Sequence, residues 1–269
     1  MESPFLKKII ATRKRRVEEL KESVPLDAIR RVAETRSDYR DFAGTLSAAG
    51  LSVIAELKRA SPSRGLICAE YRRREIAASY ERAGASALSV LTEEEFFLGS
   101  LDDLKVIREA VRLPVLRKDF IIDDYQVYES AEAGADALLL IVAALGDEDL
   151  KRLLDLSARL KIAPLVEVHT ECELERALAA GARIIGVNNR DLNTFEVSLD
   201  TSFRLREKIP ASCLAVSESG IKSGYDLERL AGAGFNAVLI GEHLMASGGP
   251  GKALEQLLEN APSLRMART

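Results

Sequence analysis

"AGADALLLIV", residues 133–142, decides the reading of the fold. It opens on an alanine and a glycine and runs into an unbroken apolar segment. The stretch before it, "YQVYESAE", has helical character. A glycine there can stop the helix by taking a positive φ. The small neighbours allow a tight turn, and the apolar run fits a parallel strand covered on both faces. The same form returns as "AGASALSVLT" (83–92), "AGARIIGVNN" (180–189) and "AGFNAVLIGE" (233–242), each after a helical stretch. Such repetition marks one supersecondary unit used again and again.

Four more apolar runs lie between these: "LSVIAELK", "LPVLRKDF", "APLVEVHT" and "SCLAVSES". Each leads into a helical pattern. Eight strands then alternate with eight helices, which predicts an α/β fold of parallel strands joined by right-handed crossovers. Eight units in roughly 220 residues fit a closed (β/α)8 TIM barrel. A doubly wound open sheet is less apt, because no GxGxxG turn follows the first strand. The reading makes 1–269 a single barrel domain. Residues 1–48 fall outside the eight units and form an N-terminal helical extension, with one helix in "PFLKKIIATRKRRVEELK" and a second beginning at Pro25. The extension could cover one end of the barrel or help close the mouth of a site.

Composition narrows the function classes. The chain is 47% hydrophobic and 30% charged, as in ordinary soluble globular proteins. A net charge of −4 gives no nucleic-acid footprint. No apolar run is long enough to span a bilayer. The basic N-terminus lacks the apolar core and cleavage site of a signal peptide. Three scattered cysteines argue against a disulfide framework or zinc site and suit a reducing cytoplasm. With two histidines, metal or triad chemistry has little to work with. Charged outer helix faces make a monomer the expectation.

In a barrel of this kind the chemistry sits at the C-terminal ends of the strands. Glu56 and Lys58 end the first strand on one face. Lys118 and Asp119 end the third, Glu167 lies in the fifth, and Asn188, Asn189 and Arg190 end the sixth. Ser217, Glu218, Ser219 and Gly220 end the seventh, and Gly241 the eighth. Any one Lys–Glu pair could be a buried ion pair that fixes geometry. The whole set converging on one mouth would be a poor stability device. Asp119 and Glu129 read as solvated or helix-capping, His169 as packing or capping, and His243 as structural. Gly220 and Gly241, with helix N-termini beyond them, suit a phosphate. The "SPSRG" loop adds hydroxyls and Arg64.

"IAELKRASPSRG" resembles the first-strand signature of the indole-3-glycerol phosphate synthases. The resemblance continues through "SVLTEEEFFLGSLDDL", "LRKDFIIDDYQVYES", "LVEVHTECELERAL", "GVNNRDLNTFEV", "SESGI" and "AVLIGEHLM", nearly the whole chain. It implies an enzyme that converts 1-(2-carboxyphenylamino)-1-deoxyribulose 5-phosphate into indole-3-glycerol phosphate, without metal or organic cofactor. By motif, Lys118 would be the general acid and Glu167 would stabilise the cationic intermediate. Lys58, Glu56 and Glu167 would share the later proton transfers, with Asn188 and Glu218 orienting the site. Ser61 and Arg190 would hold the anthranilate carboxylate. Ser219, Gly220, Gly241 and the amide of Glu242 would bind phosphate, with the Glu242 side chain turned away. Phe97, Phe120, Leu140 and Leu192 would form the aromatic slot. Acid catalysis on a ketone further asks for a lysine lowered toward neutrality. The rival readings are an inactive phosphate-binding barrel and phosphoribosylanthranilate isomerase. The isomerase needs a cysteine at the end of the first strand, where this chain has "AELK".

Overall fold

The computed structural model describes residues 4–261; positions 1–3 and 262–269 of the expected 1–269 unit lie outside the described residues. The chain opens with three helices, α1 (Pro4–Ser23), α2 (Leu26–Thr35) and α3 (Phe42–Leu46). Eight barrel strands follow: β1 (Ser52–Leu57), β2 (Ala87–Leu91), β3 (Val115–Lys118), β4 (Ala137–Ile141), β5 (Ala163–Val168), β6 (Ile184–Asn188), β7 (Leu214–Glu218) and β8 (Ala237–Ile240). They pair in sequence order, all parallel, and β8 closes onto β1. This is the predicted (β/α)8 barrel with its helical extension. After β1 to β7 come α4 (Arg73–Arg82), α5 (Leu101–Ala110), α6 (Asp124–Glu132), α7 (Asp147–Arg159), α8 (Glu171–Ala179), α9 (Asp200–Arg206) and α10 (Gly224–Gly232). The short α11 (Glu242–Met245) and then α12 (Pro250–Glu259) follow β8. None of the described helices is long and apolar enough to cross a membrane.

The repeated turn works as its composition requires. Gly84, Gly134, Gly181 and Gly234 all have φ between 85° and 94°. At the second unit Gly134 N–H donates to Ala131 and Ala135 N–H to Ser130, at 3.1 and 2.9 Å. These bonds satisfy carbonyls the helix end would leave open. The chain then enters β4 at once.

Alternation along each strand makes two cores. Ile54, Leu116, Leu139, Leu165 and Val216 point into the barrel, and Phe42 and Leu46 of α3 pack on that inner cluster. Phe42 is 1% exposed, and burying such a side chain contributes roughly 1.5–3 kcal/mol. Val53, Leu88, Leu138, Leu140 and Val166 point outward into the helix layer. The extension reaches both ends of the barrel. Its third helix covers the N-terminal end of the barrel, and Phe5, Leu6 and Ile9 of α1 reach the cavity at the other end.

Two buried ionic clusters tie the extension to the barrel. Asp136, just before β4, receives Arg36 at 3.0 Å, Arg108, and the backbone N–H groups of Arg40 and Val115 at 2.9 Å. Asp119 receives Arg13 of α1 at 2.9 Å and Arg117 at 3.0 Å, and Arg117 also meets Glu129 at 2.9 Å. Asp119 and Glu129 are thus neither solvated nor helix caps, as the sequence reading had them. They are buried because two arginines supply their counter-charge.

Candidate active site

At the ends of β1, β3, β5 and β7 the cavity-facing positions carry charge instead of apolar side chains. Lys118, closing β3, lies 2.8 Å from Glu167 of β5 and 2.7 Å from Glu218 of β7. Lys58, just past β1, lies 2.7 Å from Glu56. Asn188 ends β6 beside Glu218 in register. Its side-chain oxygen accepts the Arg190 N–H at 3.0 Å, and its side chain helps to lower the Glu167 pKa.

Two glycines make room for these acids. A Cβ on Gly186, inside β6, would come 2.2 Å from Glu218 Oε1. A Cβ on Gly241 would come 2.1 Å from Glu56 Oε1. Gly241 has φ −125°, open to any residue. What demands a glycine there is the Glu56 carboxylate, a reason the sequence reading did not contain.

The electrostatics correct one expectation. Burial by itself would lower Lys118, but the charges of Glu167, Glu218 and Glu56 outweigh it and hold the ammonium above its ordinary pKa. A lysine lowered toward neutrality is not what this site builds, because carboxylates surround it rather than cations. The two acids on Lys118 are driven apart. Burial raises Glu218, Lys118 opposes and Glu167 adds repulsion, leaving it at about 7. Glu167 is buried too, yet Lys118 and then His169 pull it down to about 2. Like charges sharing one cation cannot both stay easily ionised.

A cavity of about 750 Å³ opens above this floor. All six candidate catalytic residues line it: Glu56, Lys58, Lys118, Glu167, Asn188 and Glu218. So do Ser61, Phe97, Phe120, Arg190, Leu192, Ser219, Gly220, Gly241 and Glu242. Phe97 and Phe120 stand 6.3 Å apart, tilted by 39°. Leu140 is the exception. Its side chain packs in the outer helix layer, while Leu139 and Ile141 face the cavity. In "ALLLI" every position is apolar, so composition does not reveal which leucines face inward.

At the end of β7, Ser219 and Gly220 both take positive φ, 67° and 84°, bending the chain sharply at the cavity wall. Glu242 also lines this wall. Its carboxylate meets Arg64 at 2.9 Å and Arg190 at 3.0 Å, so it stays on the wall with two guanidinium groups against it. Two guanidinium groups against one carboxylate leave this part of the wall net positive. Sequence reasoning missed Phe5, Leu6 and Ile9, which also line the cavity. The helical spacing of apolar residues in α1 was visible, but not the surface it covers. Phe5 packs edge-on against Phe96 and Phe195, with centroids 5.6 and 5.4 Å apart.

Comparison with known proteins agrees with this geometry. The family model described as "Indole-3-glycerol phosphate synthase" matches residues 6–257. The indole-3-glycerol phosphate synthase of Polaromonas naphthalenivorans (strain CJ2) is 52% identical over 259 residues, covering 95% of this chain and 98% of that one. The protein of the same name from Endomicrobium trichonymphae is 49% identical over 255 residues, covering 94% and 99%. Among solved structures, 3-hexulose-6-phosphate synthase from Salmonella typhimurium superposes with a TM-score of 0.63 at 12% identity, covering 79% of this chain and 99% of that one; this likeness shows the barrel alone. With the match running nearly end to end, this chain belongs to the indole-3-glycerol phosphate synthase family.

Proposed function

We propose that this cavity closes the pyrrole ring of 1-(2-carboxyphenylamino)-1-deoxyribulose 5-phosphate, releasing CO2 and water to give indole-3-glycerol phosphate, with Lys118 as the general acid. The observation that carries the assignment is the Lys118 ammonium held between Glu167 and Glu218 on the cavity floor. Its raised pKa keeps it protonated but makes it a weaker acid, so its position on the cavity floor must carry the transfer. The aromatic carbon bearing the carboxylate attacks the ketone carbon while Lys118 protonates the ketone oxygen. A C–C bond forms and positive charge spreads into the ring system. Glu167, held ionised, stabilises that charge in a water-poor site. Loss of CO2 returns its bonding electrons to the ring and restores aromaticity.

The dehydration that follows needs one proton delivered to the departing hydroxyl and one removed from the neighbouring carbon. Glu56, Lys58 and Glu167 are placed for these transfers, and Glu218, near 7, can exchange a proton with Lys118 at neutral pH. Phe97, Phe120 and Leu192 would flank the aromatic ring, with Leu139 and Ile141 in the place once given to Leu140. Arg190 and Ser61 suit the carboxylate. The bend at Ser219 and Gly220, with the amide of Glu242, suits the phosphate. The scheme uses no metal or organic cofactor. All these groups lie on one chain, so a single copy can carry the chemistry, and a cytoplasmic location goes with the biosynthetic family.

Steady-state turnover of this substrate, followed by indole fluorescence, tests the reading. The chain has no Trp, which keeps the background low. Product formation by the wild type supports it. Binding without turnover would favour the inactive-barrel reading.

A further inference from the structure

Glu167 gives one oxygen to Lys118. Its other oxygen, Oε1, lies 3.5 Å from Nε2 of His169, an ion-pair distance at which this buried nitrogen makes no hydrogen bond. The opposite edge of that ring, Nδ1, lies 3.2 Å from Oε2 of Glu173, which also accepts the His169 backbone N–H at 2.7 Å. The His169 side chain is only 11% exposed. Of the two roles the sequence leaves open, packing and capping, it does not cap α8; the cap is Thr170, whose hydroxyl accepts the Glu173 N–H.

A neutral imidazole has one N–H and one lone pair. Set between two carboxylates, either tautomer aims a lone pair at one of them. Only the imidazolium offers a donor to both. The charged groups around the ring fit that state: Glu167 on β5, Glu173 on α8, Glu218 on β7 and Asp191 in the loop after β6. The cation on the other oxygen of Glu167 is Lys118. Burial disfavours a charged ring, but Glu173, Glu167 and Glu218 outweigh it and raise the His169 pKa.

We propose that His169, as an imidazolium, is a positioning residue for the ring closure: it holds Oε1 of Glu167 and so fixes the rotation that keeps Oε2 on Lys118. This rests on the role given to Glu167 above. The rotation matters because a carboxylate displaced by about 1 Å from the developing charge can lose as much as 100-fold in rate.

The first arm of the test is NMR titration of 13C-labelled histidine. The chain has two histidines, His169 and His243, so His169→Asn identifies the signal. The His169 midpoint should lie above the usual ~6.5 in the wild type and fall in both Glu167→Gln and Glu173→Gln. A midpoint at or below that value, or one indifferent to Glu167→Gln, overturns the proposal. The second arm is the pH profile of kcat. The wild type should lose activity on the alkaline side at the His169 midpoint. His169→Asn, a neutral donor, should lower kcat about 10- to 100-fold, leave KM within about twofold, and lose that alkaline limb. A His169→Asn profile of unchanged shape would reduce the residue to packing. The NMR arm still reads if His169→Asn does not fold, since the Glu173→Gln comparison and the wild-type midpoint remain. It also reads if the wild type proves inactive, so failure of the catalytic assignment is distinguishable from failure of this one.

Discussion

Asp136 and Glu218 are both 1% exposed, at opposite ends of the barrel, and they are treated oppositely. Asp136 has donors on both oxygens, two guanidinium groups and two backbone N–H groups. Glu218 has one ammonium, shared with Glu167, and its Oε1 has no hydrogen-bond partner. The first is a carboxylate with donors to spare. The second is a carboxylate short of donors, whose proton is held near neutrality. Burial is the same in both places. The ratio of positive to negative charge decides whether the group holds structure or handles protons.

The comparison can be broken most directly at Lys118. Lys118→Ala should lower turnover by about 10²- to 10⁴-fold, the usual worth of a positioned acid, measured as initial rate of indole fluorescence. At the other end, Asp136→Ala should cost about 3–5 kcal/mol, as when one partner of a buried ion pair is removed. Urea unfolding reads that loss, and kcat per folded molecule should stay near wild type. A large kcat loss there would erase the distinction between the two ends.

Gly186→Ala sharpens the contrast without touching a charge. Its methyl group would take the place of Glu218 Oε1. It should cost about 1–3 kcal/mol of stability by overpacking. If Glu218 is pushed off Lys118, kcat should fall by up to about 100-fold.

The smallest effect is in the pH dependence of stability. Glu218 is raised in the folded protein from 4.5 to about 7. Its contribution is therefore fully present below 4.5 and lost as pH rises through 7. Glu167, lowered to about 2, contributes the other way, present above 4.5 and lost as pH falls. Glu218→Gln should flatten the loss of stability between 4.5 and 7, read as urea midpoints across that window.

Most of the barrel was legible in the sequence because its turns are local chemistry. An alanine-glycine pair, a helix before it and an apolar run after it are enough to place four strands. The helix α3 was not legible: five residues, "FAGTL", carry no full period, and their place under the barrel is a tertiary fact. The charged floor could be named residue by residue, since a lysine or glutamate in an apolar strand stands out. Its electrostatics could not. Glu167 and Glu218 lie 49 and 100 residues beyond Lys118, and only barrel closure sets both against one ammonium. Asp119 looked solvated for the same reason: its partner Arg13 comes from the extension, across the mouth. His169 shows Glu173 four residues on, but nothing local shows Glu167 on its other edge.

The central claim is that catalysis resides in the donor-poor cluster and stability in the donor-rich one. The most direct measurement is a paired determination of kcat and unfolding midpoint for the wild type, Lys118→Ala and Asp136→Ala in one buffer at pH 7. The account predicts a folded, inactive Lys118→Ala protein beside a destabilised, active Asp136→Ala protein. Substantial turnover by Lys118→Ala would contradict it.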